Sequence, residues 1–236
     1  MSFTEILTKG LISQSGSASS YVLGIIAVAV ASYLIGSVNF AVIFSNCRGD
    51  DIREHGSGNA GTTNVMRTYG RGAGIAIFSL DFLKSVICVF LGILLMPADG
   101  YGYVAALFCM AGHAYPVYFG FRGGKGVAVY VGAMMCLNPL AAAISILVYA
   151  LFLLFSKYIS LSSIAMTLVF PIVNFYFGFS LFKVDTSNIR GLVNYILCTA
   201  IPIFMSAFVC MTHISNIKRL IAGTETRVGE NNREKK

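Results

Sequence analysis

The residues best suited to chemistry fall in three short stretches. In the first, HGSGNAGTTNVMR, glycines at 56, 58 and 61 alternate with Ser57, Asn59, Thr62, Thr63 and Asn64, and Arg67 follows. Glycines leave backbone N–H groups free to turn inward and the hydroxyls and amides add donors, so the loop suits an anion nest. The same composition also suits an ordinary connector. The second, GHAYPVYFGFRGGKG, ends on Gly123, Gly124, Lys125 and Gly126 just before an apolar run. Free N–H groups at a helix N-terminus beside a lysine attract phosphate, although a lysine at a lipid interface also snorkels without binding anything. In the third, THISNIKRL, His213, Asn216 and either Arg219 or Lys218 recur at spacing three and share a helix face. A helix end that merely solvates its polar side would look the same.

Several familiar chemistries are excluded. Gly56, Gly58 and Gly61 spell G-x-G-x-x-G, but a dinucleotide fingerprint follows a strand and has an acidic residue about 20 positions on. Here the preceding RGDDIRE is polar and Asp81 lies inside an apolar run. GGKG is no Walker A loop, because Phe119 stands five before Gly124 and Gly126 follows Lys125. The H-x-x-x-x-D pair of common glycerolipid acyltransferases is absent: five residues after His55, His113 and His213 come Ala60, Tyr118 and Lys218. Neither a G-x-S-x-G elbow nor a Cys–His arrangement appears, and the six scattered cysteines read as small buried hydrophobes.

The elements that must position these stretches are membrane helices. Of 236 residues, 56% are hydrophobic and 11% charged, against about 25% charged in soluble domains; mean hydropathy is +0.76. Apolar runs at 21–44, 73–96, 102–119, 137–155, 159–181 and 192–212 approach or exceed the roughly 17–25 residues of a crossing helix. A seventh, 126–136, is short. The first run is too long for a signal-peptide core and is kept as a span. Arg48, Arg53, Arg67, Arg71, Arg122, Lys125, Lys157, Lys218, Arg219, Arg227, Arg233, Lys235 and Lys236, 13 of the 17 cations, fall on one side if all seven runs cross. Lys9, Lys183 and Arg190 take the other side. The positive-inside rule then puts the C-terminus and the arginine-rich loop in the cytoplasm and the N-terminus outside.

The expected fold is therefore all-α, a single polytopic membrane domain of seven helices with a flexible tail at 225–236. All three polar stretches share the cytoplasmic face. Asp81 and Lys84, three apart within a span, should pair with each other, since isolated charges there are costly. The net charge of +7 reads as an orientation signal. Nucleic acid is not an expected partner, because the cations are not interleaved with aromatics on a soluble face. A transporter of a phosphorylated metabolite would also need cations and broken helices, but the polar residues gather on one face and no inverted repeat is evident.

Taken together, DIREHGSGNAGTTNVMRTYG, GHAYPVYFGFRGGKGVA and HISNIKRLIAGTE resemble the three signature regions of the PlsY family of bacterial membrane acyltransferases. GSVNFAVI, DFLK and YISLSSI agree in order and spacing, and the likeness covers residues 36–226. The resemblance implies transfer of an acyl group from acyl phosphate to the 1-hydroxyl of glycerol 3-phosphate, in the bacterial inner membrane, with no cofactor or metal. Its products are 1-acyl-glycerol 3-phosphate (lysophosphatidic acid) and phosphate, and its partners are the two substrates and membrane lipid. Carried over as catalytic are Ser57, Asn64, Arg67, Lys125, Ser163, His213 and Asn216. Substrate phosphate is expected at Gly58, Thr63, Arg67, Gly123, Gly124, Lys125 and Gly126, with His113, Asp81 and Lys84 in support. Thr212 and Ile214 flank His213 where the family often has arginines, and Val129 replaces a common threonine. Acyl phosphate is already activated, so the enzyme is expected mainly to position substrates and stabilise charge. The base is left between His213 and the phosphate of bound glycerol 3-phosphate.

Overall fold

The computed structural model describes residues 18–95, 100–181 and 189–229, with backbone alone at 18–20, 178–181 and 189–190. Lys9, Lys183 and the expected tail beyond 229 lie outside the described residues. Among the described residues ten α-helices follow in order: α1 Ala18–Gly36, α2 Phe40–Asn46, α3 Thr62–Tyr69, α4 Arg71–Leu95, α5 Tyr101–Ala114, α6 Val127–Leu137, α7 Pro139–Ser156, α8 Ile159–Leu181, α9 Ile189–Thr212 and α10 Ile214–Ile221. Among the described residues there is no strand. Among the described residues, five stretches are long and apolar enough to cross a membrane: Tyr21–Asn46, Arg71–Leu95, Pro139–Ser156, Ile159–Phe177 and Gly191–Thr212.

Two of the expected runs are not continuous helices. The first run is not one continuous helix, because it breaks at residues 37–39. Asn39 then caps α2, its Oδ1 accepting from Val42 N at 3.1 Å. The carbonyls freed at the break are met from inside the bundle, where Lys84 Nζ donates to Gly36 O at 3.1 Å and Val38 O at 2.8 Å. The run 102–119 is helical only to Ala114. Pro116 cannot continue a helix, and the chain turns through a 3-10 segment at Val117–Phe119. At about 1.5 Å per residue, α5 and α6 are each shorter than the ~30 Å hydrocarbon core.

Helix pairs approach closely where glycines permit it, as expected where packing rather than hydrophobicity drives association. A Cβ on Gly36 would stand 2.2 Å from Cys109 O, and one on Gly112 would stand 2.2 Å from Tyr33 O, so α1 and α5 meet almost backbone to backbone. α4 packs on α5 and α6, α7 on α6 and α8, and α8 on α9. The main core runs through their centre, from Val28 and Cys88 to Met166 and Val209. A smaller core, Ala41, Val42, Ile52, Ala60, Val65 and Ile77, underlies the loop that carries the first polar stretch. The expected tail is also corrected at its start. Glu225 is 7% exposed and hydrogen-bonded, and Val228 N donates to Lys157 O at 2.8 Å, which ties the chain end to the α7–α8 turn. Of the cysteines, Cys47 departs from the expected burial, being exposed.

Candidate active site

The three polar stretches meet at one cavity of about 550 Å³. Ser57, Thr63, Asn64, Arg67, Lys125, Gly126, Ser163, His213 and Asn216 all line it, as do Asp81 and His113. Gly58, Gly123, Gly124 and Lys84 are not among the residues that line it.

The first loop is shaped by two glycines and one asparagine. Gly56 and Gly58 adopt φ of +55° and +69°, in the left-handed region that side chains disfavour. Asn64 is buried, and its amide is fully engaged with loop backbone. Its Nδ2 donates to Ile52 O at 3.0 Å and to His55 O at 2.9 Å, and its Oδ1 accepts from Ser57 N at 3.0 Å. A Cβ on Gly56 would stand 2.3 Å from that Oδ1. Asn64 therefore holds the loop that presents Ser57, and has no free donor for a ligand. α3 opens at Gly61 with no side-chain cap, and the Thr62 hydroxyl, buried at the cavity, has no hydrogen-bond partner.

The second loop is folded onto the end of α5. Gly124 N donates to His113 O and Gly123 N to Ala114 O, both at 3.1 Å. Gly126, at φ +83°, then opens α6 without a side-chain cap. Two uncapped helix N-termini, those of α3 and α6, thus border one cavity, and each offers N–H groups and positive dipole ends to an anion.

Between them stands Lys125, which donates to Asn216 Oδ1. Burial, with Arg219 and Arg67 adding repulsion, draws its ammonium down to about 8. Asn216 Nδ2 donates in turn to Glu225 Oε1 at 2.7 Å. The same carboxylate accepts from Ser160 Oγ at 2.8 Å and Arg219 Nε at 2.7 Å. Burial alone would raise this carboxyl, but the hydrogen bonds from Asn216, Ser160 and Arg219 hold it below its ordinary value. As the 3.6-residue period requires, Asn216 and Arg219 share the inward face of α10.

His213 caps α10 rather than lying within it. Its Nδ1 is 2.8 Å from Val209 O. A carbonyl only accepts, so Nδ1 carries the proton and Nε2 keeps a lone pair. Burial, with Lys125 next, pushes the imidazole down to about 4, so it is neutral at physiological pH.

Away from this polar end the cavity turns apolar. Ile75 and Phe78 of α4, Val127 and Val131 of α6, Ile146 and Tyr149 of α7, and Met166 of α8 form its walls. Ile75 is 61% and Phe78 37% exposed on the outer surface of the bundle, so the cleft reaches the side that faces lipid.

Asp81 Oδ1 and Lys84 Nζ stand 2.7 Å apart, as their spacing predicts. Sequence reasoning missed Glu225 and Ser160. The signal for Glu225 was present, because the third motif ends on it, but it was assigned to the tail.

Residues 26–223 match a protein-family profile described as Glycerol-3-phosphate acyltransferase. A curated relative of that name from Thermoanaerobacter sp. (strain X514) is 38% identical over 203 residues, 86% of this chain and 94% of the relative. Another, from Clostridioides difficile (strain 630), is 37% identical over 211 residues, 87% of this chain and 96% of the relative. Among solved structures, PlsY (YgiH), an integral membrane glycerol 3-phosphate acyltransferase in its glycerol 3-phosphate form, is 32% identical with a TM-score of 0.76. The match covers 87% of this chain and 96% of that one. Its lysophosphatidic acid form gives 0.74 at the same identity, covering 87% and 95%. These likenesses support the enzyme reading and lend nothing to the transporter alternative.

Proposed function

The chain belongs to the glycerol-3-phosphate acyltransferase family, and from that membership we propose that its cavity acylates glycerol 3-phosphate on the 1-hydroxyl. The donor is acyl phosphate, and the products are 1-acyl-glycerol 3-phosphate (lysophosphatidic acid) and inorganic phosphate. The observation that carries this reading is the junction of a cationic pocket, bordered by two uncapped helix N-termini, with an apolar cleft open to lipid. The pocket suits two phosphates and the cleft suits one acyl chain.

Arg67 grips a phosphate through its fork, and Lys125 acts as a point charge. The 1-hydroxyl oxygen attacks the acyl carbonyl carbon, the bond from that carbon to the phosphate oxygen breaks, and phosphate leaves with the electron pair. The hydroxyl proton goes to the phosphate of glycerol 3-phosphate. A phosphate monoester has a second pKa of about 6 and is a better proton acceptor than His213, held at about 4. His213 Nε2, an acceptor only, takes a hydrogen bond from the neighbouring 2-hydroxyl and so holds the glycerol in place. Ser57 and Ser163 orient the substrates.

We place the protein in the bacterial inner membrane with seven crossings, N-terminus outside and C-terminus cytoplasmic. In support, the starts of α3, α6 and α8 and the ends of α5 and α9 all border one cavity. Chain passes that alternate between that end and the other carry to one side the ten of those 13 cations that lie among the described residues. α5 and α6 cross as short helices within the bundle.

A purified-protein assay tests the reaction. Phosphate release from acyl phosphate should require glycerol 3-phosphate, and acyl-CoA should not replace the donor. Turnover with acyl-CoA alone would overturn the donor assignment.

A further inference from the structure

His113 closes α5 with its side chain almost wholly buried, 3% exposed, and yet it lines the cavity. Its two ring nitrogens have different surroundings. Nδ1 is 3.0 Å from Lys84 Nζ, which also reaches Gly36 O at 3.1 Å and Val38 O at 2.8 Å. An ammonium has three protons, and these three acceptors take one each. The count explains a second observation: Asp81 Oδ1, though 2.7 Å from the same nitrogen, has no hydrogen-bond partner. Its attraction to Lys84 is one of charge without alignment. The other contact of Nδ1, Asp81 Oδ1 at 3.4 Å, is too long to claim a proton from it.

A nitrogen that accepts from an ammonium carries no proton, so the neutral ring holds its proton on Nε2. Nε2 has no hydrogen bond to any described residue. It lies against Gly124, where a Cβ would stand 2.1 Å away. Gly124 directly precedes Lys125, and two residues later α6 begins with its N–H groups uncapped.

We propose that His113 contacts substrate, its Nε2–H donating a hydrogen bond to the phosphoryl group of the acyl donor. Lys84 is the positioning residue that fixes the ring in the tautomer needed. The inference rests on the acyl-phosphate reading given above. A neutral donor suits this place, because it binds an oxygen without adding charge to a pocket that already holds Lys125, Arg67 and Arg219. Gly124 must lack a side chain here, since a methyl group would occupy the place of the imidazole edge.

Two measurements on the full chain in bilayer discs test this. The first compares the wild type with His113→Gln, whose amide N–H reaches the Nε2 position, and His113→Phe, a ring with no donor. Removing a preorganised donor costs on the order of 100-fold, so His113→Phe should lose about that factor in kcat/KM for acyl phosphate. His113→Gln should regain at least about ten-fold of it. Equal losses in the two variants would overturn the contact. The second is the 15N spectrum of histidine-labelled wild type, in which His113 is identified as the signal missing from His113→Gln. It should show a protonated Nε2 and a bare Nδ1, and the opposite tautomer or a doubly protonated ring would overturn the proposal whatever the activity of the variants. A wild type that releases no phosphate from acyl phosphate would remove the functional reading itself, and the nitrogen spectrum would still separate that failure from a wrong tautomer.

Discussion

Glu225 accepts a hydrogen bond from Asn216 Nδ2 at 2.7 Å, while Asn216 Oδ1 accepts from Lys125. The carboxylate thus fixes which way the amide faces, and the amide fixes where the ammonium sits. Reversal of the amide would point two N–H donors at Lys125.

Glu225→Ala should therefore act at a distance from any substrate. It leaves Asn216, Ser160 and Arg219 without their shared acceptor, and hydrogen bonds to charged groups contribute about 1.5–3 kcal/mol each. With Arg219 half exposed, a net loss of about 2–3 kcal/mol in stability is expected. A lowered melting temperature in detergent, together with a raised KM for glycerol 3-phosphate, checks this. Because the folded carboxyl lies below its ordinary value, its stabilisation is present above the unfolded pKa and fades as pH falls through the folded one.

Lys125 at about 8 makes affinity fall on the alkaline side. The Kd for glycerol 3-phosphate should tighten as pH rises through about 6, where the ligand gains its second charge, and weaken again as pH rises through about 8. The folded pKa lies below the unfolded one, so this lysine's contribution to stability increases over the pH range from about 8 to about 10.4. Binding and stability should thus move in opposite directions there, which separates loss of charge from unfolding. Lys125→Arg should abolish the alkaline limb, and Lys125→Ala should abolish nearly all turnover.

His213→Ala should lower kcat by about ten-fold, less than the 10²–10⁴ typical of a lost general base. The kcat profile of the wild type should show no limb at the ordinary histidine value of about 6.5 that His213→Ala removes. A limb that vanishes with His213 would restore the histidine as base.

Asn64→Asp should be nearly as damaging as Asn64→Ala, although it is isosteric. The carboxylate can accept from Ser57 N but cannot donate to Ile52 O and His55 O. Circular dichroism with melting, run beside the activity assay, should show the loop lost while the membrane helices persist. Gly56→Ala should resemble it, through both the left-handed φ and the 2.3 Å approach to Asn64 Oδ1.

Cys47, exposed just after α2, reports the topology. A membrane-impermeant thiol reagent should label it in inverted vesicles and not in intact cells. The reverse pattern would put the site on the outer face.

Much of this was legible in the chain because membrane helices announce themselves by length and hydropathy alone. The helix Ile159–Leu181 was placed to the residue, and Val127–Leu137 within one. What hydropathy does not carry is where a helix breaks, since two isolated polar residues, Ser37 and Asn39, do not interrupt an otherwise apolar run. The break depends on Lys84, 46 residues on from Val38, arriving to meet the freed carbonyls. Glu225 was hidden for the same reason: a polar chain end looks solvated until its partners, 9 and 65 residues away, are known. Local spacing did put Asn216 and Arg219 on one face, because that is a property of the helix alone.

The cleft between α4 and α7 has a kinetic consequence. Glycerol 3-phosphate arrives by three-dimensional diffusion through water, whereas a donor that enters past Ile75 and Phe78 arrives within a two-dimensional sheet. The velocity should then follow the mole fraction of acyl phosphate in the bilayer and not its amount per litre. Adding inert lipid at fixed total donor should slow the enzyme, a surface dilution that leaves the dependence on glycerol 3-phosphate unchanged.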